Sequence, residues 1–168
     1  MADGILLLDK QAGETSTGCV EKVRRLFGKK TKVGHGGTLD SPASGLLVIL
    51  VGAATRSCAF VQYLPKTYVA EAQLGAFSDT DDATGLIEIK SGWDHVTQAS
   101  VEKELMGFLG LHPQVPPSVS AVHVAGRRAH EMARSGEKPC LSSRPVTISS
   151  FPEISGPDSL GRVRLKIK

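Results

Sequence analysis

The chain has 168 residues, which suffices for one domain with a sizeable core and is short for two. Hydrophobic residues make up 40% and charged residues 22%, which favours an ordinary soluble globular protein. The net charge of +3 permits a nucleic-acid partner but is too weak to argue for one alone. The longest apolar run, residues 46–54, is broken by Gly52 and is too short to cross a membrane.

Cysteine usage and the N-terminus indicate the compartment. The three cysteines, Cys19, Cys58 and Cys140, are odd in number and lack the spacing of a metal site. We therefore expect reduced thiols and no bound metal. The first residues lack the basic stretch of a secretory signal, so we expect a cytoplasmic protein.

The first part of the chain predicts two strands separated by a helix and a loop. Continuous apolar runs over residues 4–9 and 46–51 are typical of fully buried strands. Between them, the apolar spacing predicts a helix over roughly 16–28, capped by Thr15, Ser16 or Thr17. A glycine-rich loop, residues 32–45, follows this helix.

The rest of the chain mixes short elements. The patterns predict helices over 55–63, 97–109 and 127–134, and strands over 67–74, 120–124, 146–154 and 162–168. They also predict a hairpin with an acidic tip at 77–85 and an extended Pro-rich linker at 113–117. Because strands and helices do not alternate strictly, an α+β fold is favoured over a parallel α/β fold.

The loop at 32–45 is the strongest candidate for function. Five of its fourteen residues are Gly or Pro, and it holds both His35 and Asp40. Glycines let a backbone bend sharply and approach a ligand closely. A single carboxylate in such a loop is a candidate nucleophile or general base, although by local sequence alone Asp40 is more often a turn or cap residue.

Other residues also have two interpretations. His35 could contact a phosphate or a base, or be an ordinary surface histidine. Tyr68 could stack on a nucleobase, or pack on a half-buried sheet face. The lysines and arginines of residues 22–32 could bind phosphate, or form a solvated helix face. The pair Gly36-Gly37 could bind an anion, but no Lys-Ser/Thr follows it, as a P-loop would require.

Motifs along essentially the whole chain resemble those of the TruB-type pseudouridine synthases. The most specific is Gly-His-Gly-Gly-Thr-Leu-Asp at 34–40, followed by Ser-Gly-Leu-Leu at 44–47. Further segments agree in order, at 4–16, 52–56, 66–68, 74–85, 114–121 and 144–146. The resemblance implies a pseudouridine synthase fold, with a mixed, mostly antiparallel sheet flanked by helices, and makes residues 1–168 one catalytic domain, truncated at its C-terminus.

The resemblance also implies an activity, the isomerisation of uridine 55 in the T-loop of tRNA to pseudouridine, without cofactor or metal. Asp40 would be the catalytic aspartate. The substrate would be bound by Tyr68, His35, Gly36, Gly37, Thr38 and Leu39. The RNA backbone would be bound by Lys22, Arg25, Lys30 and Lys32. We expect a monomer whose partner is the tRNA T-arm.

The sequence departs from the family pattern at several positions. Gln11 replaces a usual proline, His123 a common lysine and Val119 a frequent aromatic residue. The family continues past the strand matching 162–168 into a segment with a second active-site Tyr and the Arg that pairs with the catalytic carboxylate. The 168 residues contain neither that segment nor the C-terminal RNA-binding appendage. We therefore expect little or no activity from this chain alone, and a non-catalytic tRNA-binding or tRNA-folding module remains the alternative.

Overall fold

The structure is a computed structural model that describes residues 2–117, 123–124, 127–128, 132 and 140–168. The chain divides into two compact units, Met1–Pro65 and Lys66–Lys168. Among the described residues, every pair of bonded strands is antiparallel. The combination of antiparallel sheets with α-helices confirms the expected α+β class.

The first unit is a three-stranded sheet with helices. The elements are β1 (Gly4–Lys10), α1 (Ser16–Phe27), β2 (Val33–His35), β3 (Gly45–Val51) and α2 (Cys58–Tyr63). The sheet has the order β1-β3-β2, and β3 pairs along its whole length with β1. A 3₁₀ helix over Gly52–Ser57 connects β3 to α2.

The core of this unit lies between α1 and one face of the sheet. The Thr15 hydroxyl caps α1 by accepting a hydrogen bond from the Gly18 amide at 3.0 Å, and α1 ends at Gly28, whose φ of 92° suits a glycine. The buried cluster comprises Cys19, Val20, Val23, Val33, Leu47, Ile49 and Val51, with Leu8 packed against it. Thr15 thus supplies the predicted cap, and the helix has nearly its predicted bounds.

The expectation that both strands are fully buried is wrong. Ile5 and Leu7 on β1 are 59% and 67% exposed, and Leu46 on β3 is 63% exposed. Successive side chains of a strand point to opposite faces. The packed face carries Leu8 and Leu47, whereas the opposite face is covered only in part. An unbroken apolar run predicts burial on both faces, but the helix supplies cover for one.

In its described residues, the second unit contains one three-stranded sheet and three strand pairs. The elements are β4 (Tyr68–Gln73), β5 (Ala76–Ser78), β6 (Ile87–Ile89), α3 (Gln98–Met106), β7 (Gly110–Gln114), β8 (His123–Val124), β9 (Arg127–Arg128), β10 (Arg144–Ile148), β11 (Glu153–Ile154) and β12 (Arg162–Ile167). The sheet has the order β11-β12-β4, and the pairs are β10-β7, β5-β6 and β8-β9. Thr97 caps α3 in a reciprocal arrangement with Ser100.

Several predicted elements have different bounds. The predicted helix at 55–63 starts inside the 3₁₀ helix, and only Cys58–Tyr63 are α-helical. The predicted linker at 113–117 begins inside β7. The predicted strand at 146–154 is interrupted, because the amides of Ser149 and Ser150 turn to the Lys168 carbonyl at 2.7 and 3.3 Å.

The remaining two predictions fall mainly outside the described residues. Arg127–Arg128 form a strand, which contradicts the start of the helix predicted at 127–134; of the rest, only Met132, which is helical, is described. His123–Val124 are a strand, as predicted for the end of 120–124, and the earlier residues of that range are not described.

The hairpin predicted around 77–85 is confirmed by β5 and β6. Within the described part of the chain, no helix has the length and apolar character to cross a membrane.

Candidate active site

Asp40 lies in the connection between β2 and β3. Its carbonyl accepts a hydrogen bond from the Ala43 amide at 3.1 Å, which closes a tight turn, and Asp40 itself is exposed. Among the described residues, no cationic side chain forms an ion pair with it. The carboxylate is therefore presented to solvent from a turn, without a counter-ion in this part of the chain.

The residue before Asp40 is tied to helix α1. Ser16, which is 4% exposed, lies in the first turn of that helix. Its hydroxyl donates to the Leu39 carbonyl at 2.8 Å and accepts from the Leu39 amide at 3.0 Å. Both backbone groups of Leu39 are thus satisfied by one side chain, which fixes the position of the loop just before the carboxylate.

The residue after Asp40 is tied to the turn that follows β1. Lys10, the last residue of β1, is completely buried. Its ammonium group donates to the carbonyls of Glu14 at 2.8 Å, Gln11 at 3.2 Å and Ser41 at 3.3 Å. These three bonds use every proton of the ammonium group. The Ser41 carbonyl also accepts from the Gly13 amide at 2.7 Å, so Ser41 is held by two donors.

His35 ends β2, opposite Ile49 of β3. Its ring is half-buried, and its Nδ1 is a buried atom without a hydrogen-bond partner among the described residues. Leaving such an atom unpaired costs about 1–3 kcal/mol. The His35 carbonyl accepts from the Cys58 thiol at 3.4 Å, which ties β2 to α2.

Two glycines of the loop have specific structural roles, whereas the sequence predicts only a generally flexible backbone. Gly36 is buried, and a Cβ there would overlap the Val61 side chain of α2. Its amide donates to the Val48 carbonyl at 2.8 Å. By contrast, Gly45 has a φ of 126°, a conformation that side-chain-bearing residues rarely adopt. Gly36 therefore permits close packing, and Gly45 permits a backbone conformation.

An ion pair occupies the start of α1. The Lys22 ammonium group pairs with the Glu14 carboxylate on the turn that also bonds to Lys10. The hydrogen bond from Lys22 lowers the pKa of the Glu14 carboxyl, and the same bond raises the pKa of Lys22. Lys22, one of the four cations predicted to contact RNA, therefore has an intramolecular partner. Arg25 is exposed on the same helix.

The other two predicted RNA-contacting cations, Lys30 and Lys32, line one surface cavity of about 480 Å³. We call this the basic cavity. Its lining consists of Arg24, Lys29, Lys30, Thr31, Lys32, Val33, Gly34 and Thr55. Lys22 and Arg25 do not line it.

Tyr68 is the first residue of β4, opposite Ile167, and is 49% exposed. It belongs to the second unit, whereas Asp40, His35 and the glycine loop belong to the first. Thr38 is exposed and Leu39 is half-buried. The predicted site residues between positions 35 and 40 thus lie together in the first unit, whereas Tyr68 lies in the second unit.

Reasoning from local sequence does not find two residues that position the loop. Lysine is almost never buried, so nothing in the local pattern signals the burial of Lys10. Ser16 was one of three candidate helix caps, and Thr15 takes that role instead. Among the described residues, no three His, Cys, Asp or Glu side chains are grouped so that they could hold a metal ion.

The sequence matches a family of known proteins over most of its length. The model of the TruB family pseudouridylate synthase N-terminal domain matches residues 24–168. The tRNA pseudouridine synthase B of Thermobifida fusca (strain YX) is 45% identical over 151 residues, which cover 90% of this chain and 51% of that protein. The tRNA pseudouridine synthase B of Parasynechococcus marenigrum (strain WH8102) is 42% identical over 166 residues, which cover 98% of this chain and 56% of that protein. The chain spans about half the length of these curated relatives.

Two solved structures share the fold. A chain of a Cbf5-Nop10-Gar1 complex has a TM-score of 0.63 at 24% identity, covering 98% of this chain and 38% of that one. A chain of an H/ACA RNP bound to a substrate RNA containing 2'-deoxyuridine has a TM-score of 0.57 at 23% identity, covering 98% of this chain and 37% of that one. These similarities confirm the expected pseudouridine synthase fold.

Proposed function

The chain belongs to the TruB family of pseudouridylate synthases, and from this premise we propose that it isomerises uridine 55 in the T-loop of tRNA to pseudouridine, with Asp40 as the catalytic aspartate. One observation carries the assignment of Asp40. Its side chain is exposed, whereas Leu39 and Ser41 on either side are held by hydrogen bonds from Ser16, Lys10 and Gly13.

Such anchoring suits a reacting group. A misplacement of about 1 Å can cost roughly a hundredfold in rate, so a nucleophile gains from a fixed backbone. In the isomerisation, the N1–C1' bond of uridine breaks, the uracil turns, and a C5–C1' bond forms while the proton of C5 is lost and N1 gains one. Asp40 would assist by attacking carbon 6 or the anomeric carbon, or by removing a proton from the sugar.

The other loop residues would bind the extruded nucleotide. Flipping a base out of its stack costs a few kcal/mol, which contacts to the flipped nucleotide must offset. We propose that His35, which is half-buried at the end of β2, makes such a contact. We propose that the backbone of Gly36, Gly37, Thr38 and Leu39 also contacts the extruded nucleotide, and that Tyr68 stacks on the target base.

We further propose that the RNA backbone is contacted by the predicted cations Lys22, Arg25, Lys30 and Lys32. The last two have the stronger support, because they line the basic cavity. Residues 1–168 would act as part of one catalytic domain, in a cytoplasmic monomer that needs no cofactor. Sedimentation of the chain with and without tRNA would test the monomer.

The test compares the wild-type chain with Asp40→Asn, which keeps the shape of the side chain and removes its charge. T-arm RNA binding is measured first, and then release of tritium from carbon 5 of the labelled target uridine under excess protein. We expect equal binding, and we expect any product to come from the wild type only. Since turnover by 168 residues alone should be slow or undetectable, the same pair is also compared in a fusion to the remaining half of the Thermobifida fusca relative.

Three results separate the candidate functions. Equal binding with product lost in Asp40→Asn supports the synthase. Equal binding with no product from either variant, in the chain and in the fusion, supports the tRNA-binding module instead. That alternative is favoured for the chain alone by one observation, namely that the described residues offer Asp40 no ion-pair partner. Absence of RNA binding by the wild type would overturn both.

A further inference from the structure

We propose that the basic cavity is a binding site for the phosphodiester backbone of RNA, formed by Arg24, Lys29, Lys30 and Lys32. This inference rests on the proposed function and deepens it. To the contacts proposed above it adds a defined site, which Arg24 and Lys29 help to line and which Lys22 and Arg25 do not line.

The cations of the basic cavity are not neutralised by acidic side chains among the described residues. Residues 22–32 contain six lysines and arginines and no acidic residue. Lys22 is paired with Glu14, but none of the four cations of the cavity has an ion-pair partner among the described residues. Like charges gathered in one concave surface raise the local positive potential. An anion that entered the cavity would relieve this repulsion.

The backbone of the cavity is preorganised. The Lys32 carbonyl accepts from the Gly52 amide at 2.7 Å, which fixes the end of the lysine-bearing turn next to β3. At the other end, Thr31 bonds to the carbonyls of Phe27 and Gly28 at 2.7 and 3.0 Å. The Arg24 guanidinium donates to the Val33 carbonyl at 3.4 Å, which ties this side chain to the start of β2. Fixing these groups before binding reduces the ordering cost of a complex.

The lining favours a polyanion over a free nucleotide. It contains no aromatic side chain on which a base could stack, and no carboxylate that could bind a ribose hydroxyl or a metal ion. Its polar groups are cations and threonine hydroxyls, which suit phosphate oxygens and carry no sequence information. The expected ligand is therefore the sugar-phosphate backbone of a structured RNA.

The cavity adjoins the candidate active site along one strand. Lys32 precedes β2, and His35 ends it. At roughly 3.3 Å per residue, these two residues are about 10 Å apart along the strand. Phosphates a few nucleotides from the extruded uridine would reach the cavity, so it would position the RNA relative to Asp40.

The experiment measures binding of a T-arm RNA hairpin to the full 168-residue chain over a range of salt concentrations. The test variant is Lys29→Gln/Lys30→Gln/Lys32→Gln. A matched control removes three lysines from the second unit, Lys90→Gln/Lys103→Gln/Lys168→Gln. Each lost phosphate contact should reduce the slope of log K against log salt by about 0.7–0.9. We expect the test variant to lose about two units of slope, and the control to lose less than about half a unit.

Two further variants keep the result interpretable. Lys29→Arg/Lys30→Arg/Lys32→Arg retains the charge and should retain the wild-type slope. Lys30→Gln alone should lose about one contact, and serves if the triple variant melts early. An unchanged slope in the glutamine variants would overturn the proposal, as would equal losses from the arginine and glutamine triples. Wild-type binding to poly-glutamate but not to RNA would also overturn it, in favour of an acidic protein partner.

The outcome is separable from that of the proposed function. Pseudouridine formation with an unchanged slope in the glutamine variants would support the synthase activity and contradict RNA binding by the basic cavity. A reduced slope without product from any variant, in the chain and in the fusion, would support the role of the cavity and contradict the catalytic assignment. Both measurements use the same RNA and the same proteins.

Discussion

The Ser16 hydroxyl and the backbone of Leu39 form a reciprocal pair of hydrogen bonds, at 2.8 and 3.0 Å, across 23 residues of sequence. This pair joins the first turn of α1 to the residue that precedes Asp40. The Lys10 ammonium group does the same for Ser41, on the other side of Asp40. A buried serine and a buried lysine thus set the position of an exposed carboxylate.

Ser16→Ala should loosen the loop before Asp40. The substitution leaves both backbone groups of Leu39 without their partner, which should lower the free energy of unfolding by about 1–2 kcal/mol. Urea unfolding measures this loss, and amide exchange should show a deprotected Leu39. The neighbouring Thr17→Ala changes an exposed side chain on the same turn and should stay within about 0.5 kcal/mol. Equal losses from both variants would count against the pairing.

Lys10→Met should destabilise the turn after Asp40. Methionine fills a similar volume but leaves three carbonyls without the ammonium group, so we expect a loss of about 2–3 kcal/mol in the free energy of unfolding. Limited proteolysis should find the 41–44 segment more accessible. Lys103→Met, at an exposed helical position, is the control. A Lys10→Met protein as stable as this control would show that the three bonds contribute little.

Gly36→Ala should introduce a clash with Val61. Overpacking of this kind costs about 1–3 kcal/mol, and the paired substitution Val61→Ala should restore part of it. A double-mutant cycle on unfolding free energies measures the coupling, which we expect to exceed about 0.5 kcal/mol. Gly34→Ala, two residues earlier on β2, is the matched control, because a Cβ there meets nothing within 4 Å. Additive effects at Gly36 and Val61 would contradict the packing role.

Stability should depend on pH through the pair of Glu14 and Lys22. Because the folded pKa of Glu14 lies below its ordinary value of 4.5, the pair stabilises the fold above that pH and loses this effect as pH falls through the folded pKa. The raised pKa of Lys22 means that the stabilisation also declines as pH rises above 10.5. The difference in Tm between wild type and Glu14→Gln should therefore be present near neutral pH and shrink on acidification.

Lys22→Gln tests the same pair from its other side. It should show the same shrinking difference from wild type in acid, because either substitution removes the ion pair. Melting curves recorded in buffers from about pH 3 to about pH 8 supply the comparison. A Glu14→Gln difference that stays constant across this range would mean that the ion pair does not couple folding to protonation.

Much of the fold could be predicted because its signals are local. The cap of α1 needs only a hydroxyl at the right position before an apolar period, and Thr15 supplies it. The alternation of charged and apolar residues near the C-terminus suffices for β12. The loop at 32–45 was also identifiable, because a dense glycine pattern next to a carboxylate is visible in a short window.

Burial and partnership were decided by tertiary packing. Whether an apolar run is covered on one face or two depends on the element packed against it, which is why Ile5 and Leu7 are exposed. The burial of Lys10 depends on three carbonyls that converge on it, one of them 31 residues away. Glu14 engages Lys22, while Lys30 and Lys32 line a cavity. The local sequence determines which reactive side chains are present. Contacts between distant parts of the chain determine whether those side chains are buried and which partners they have.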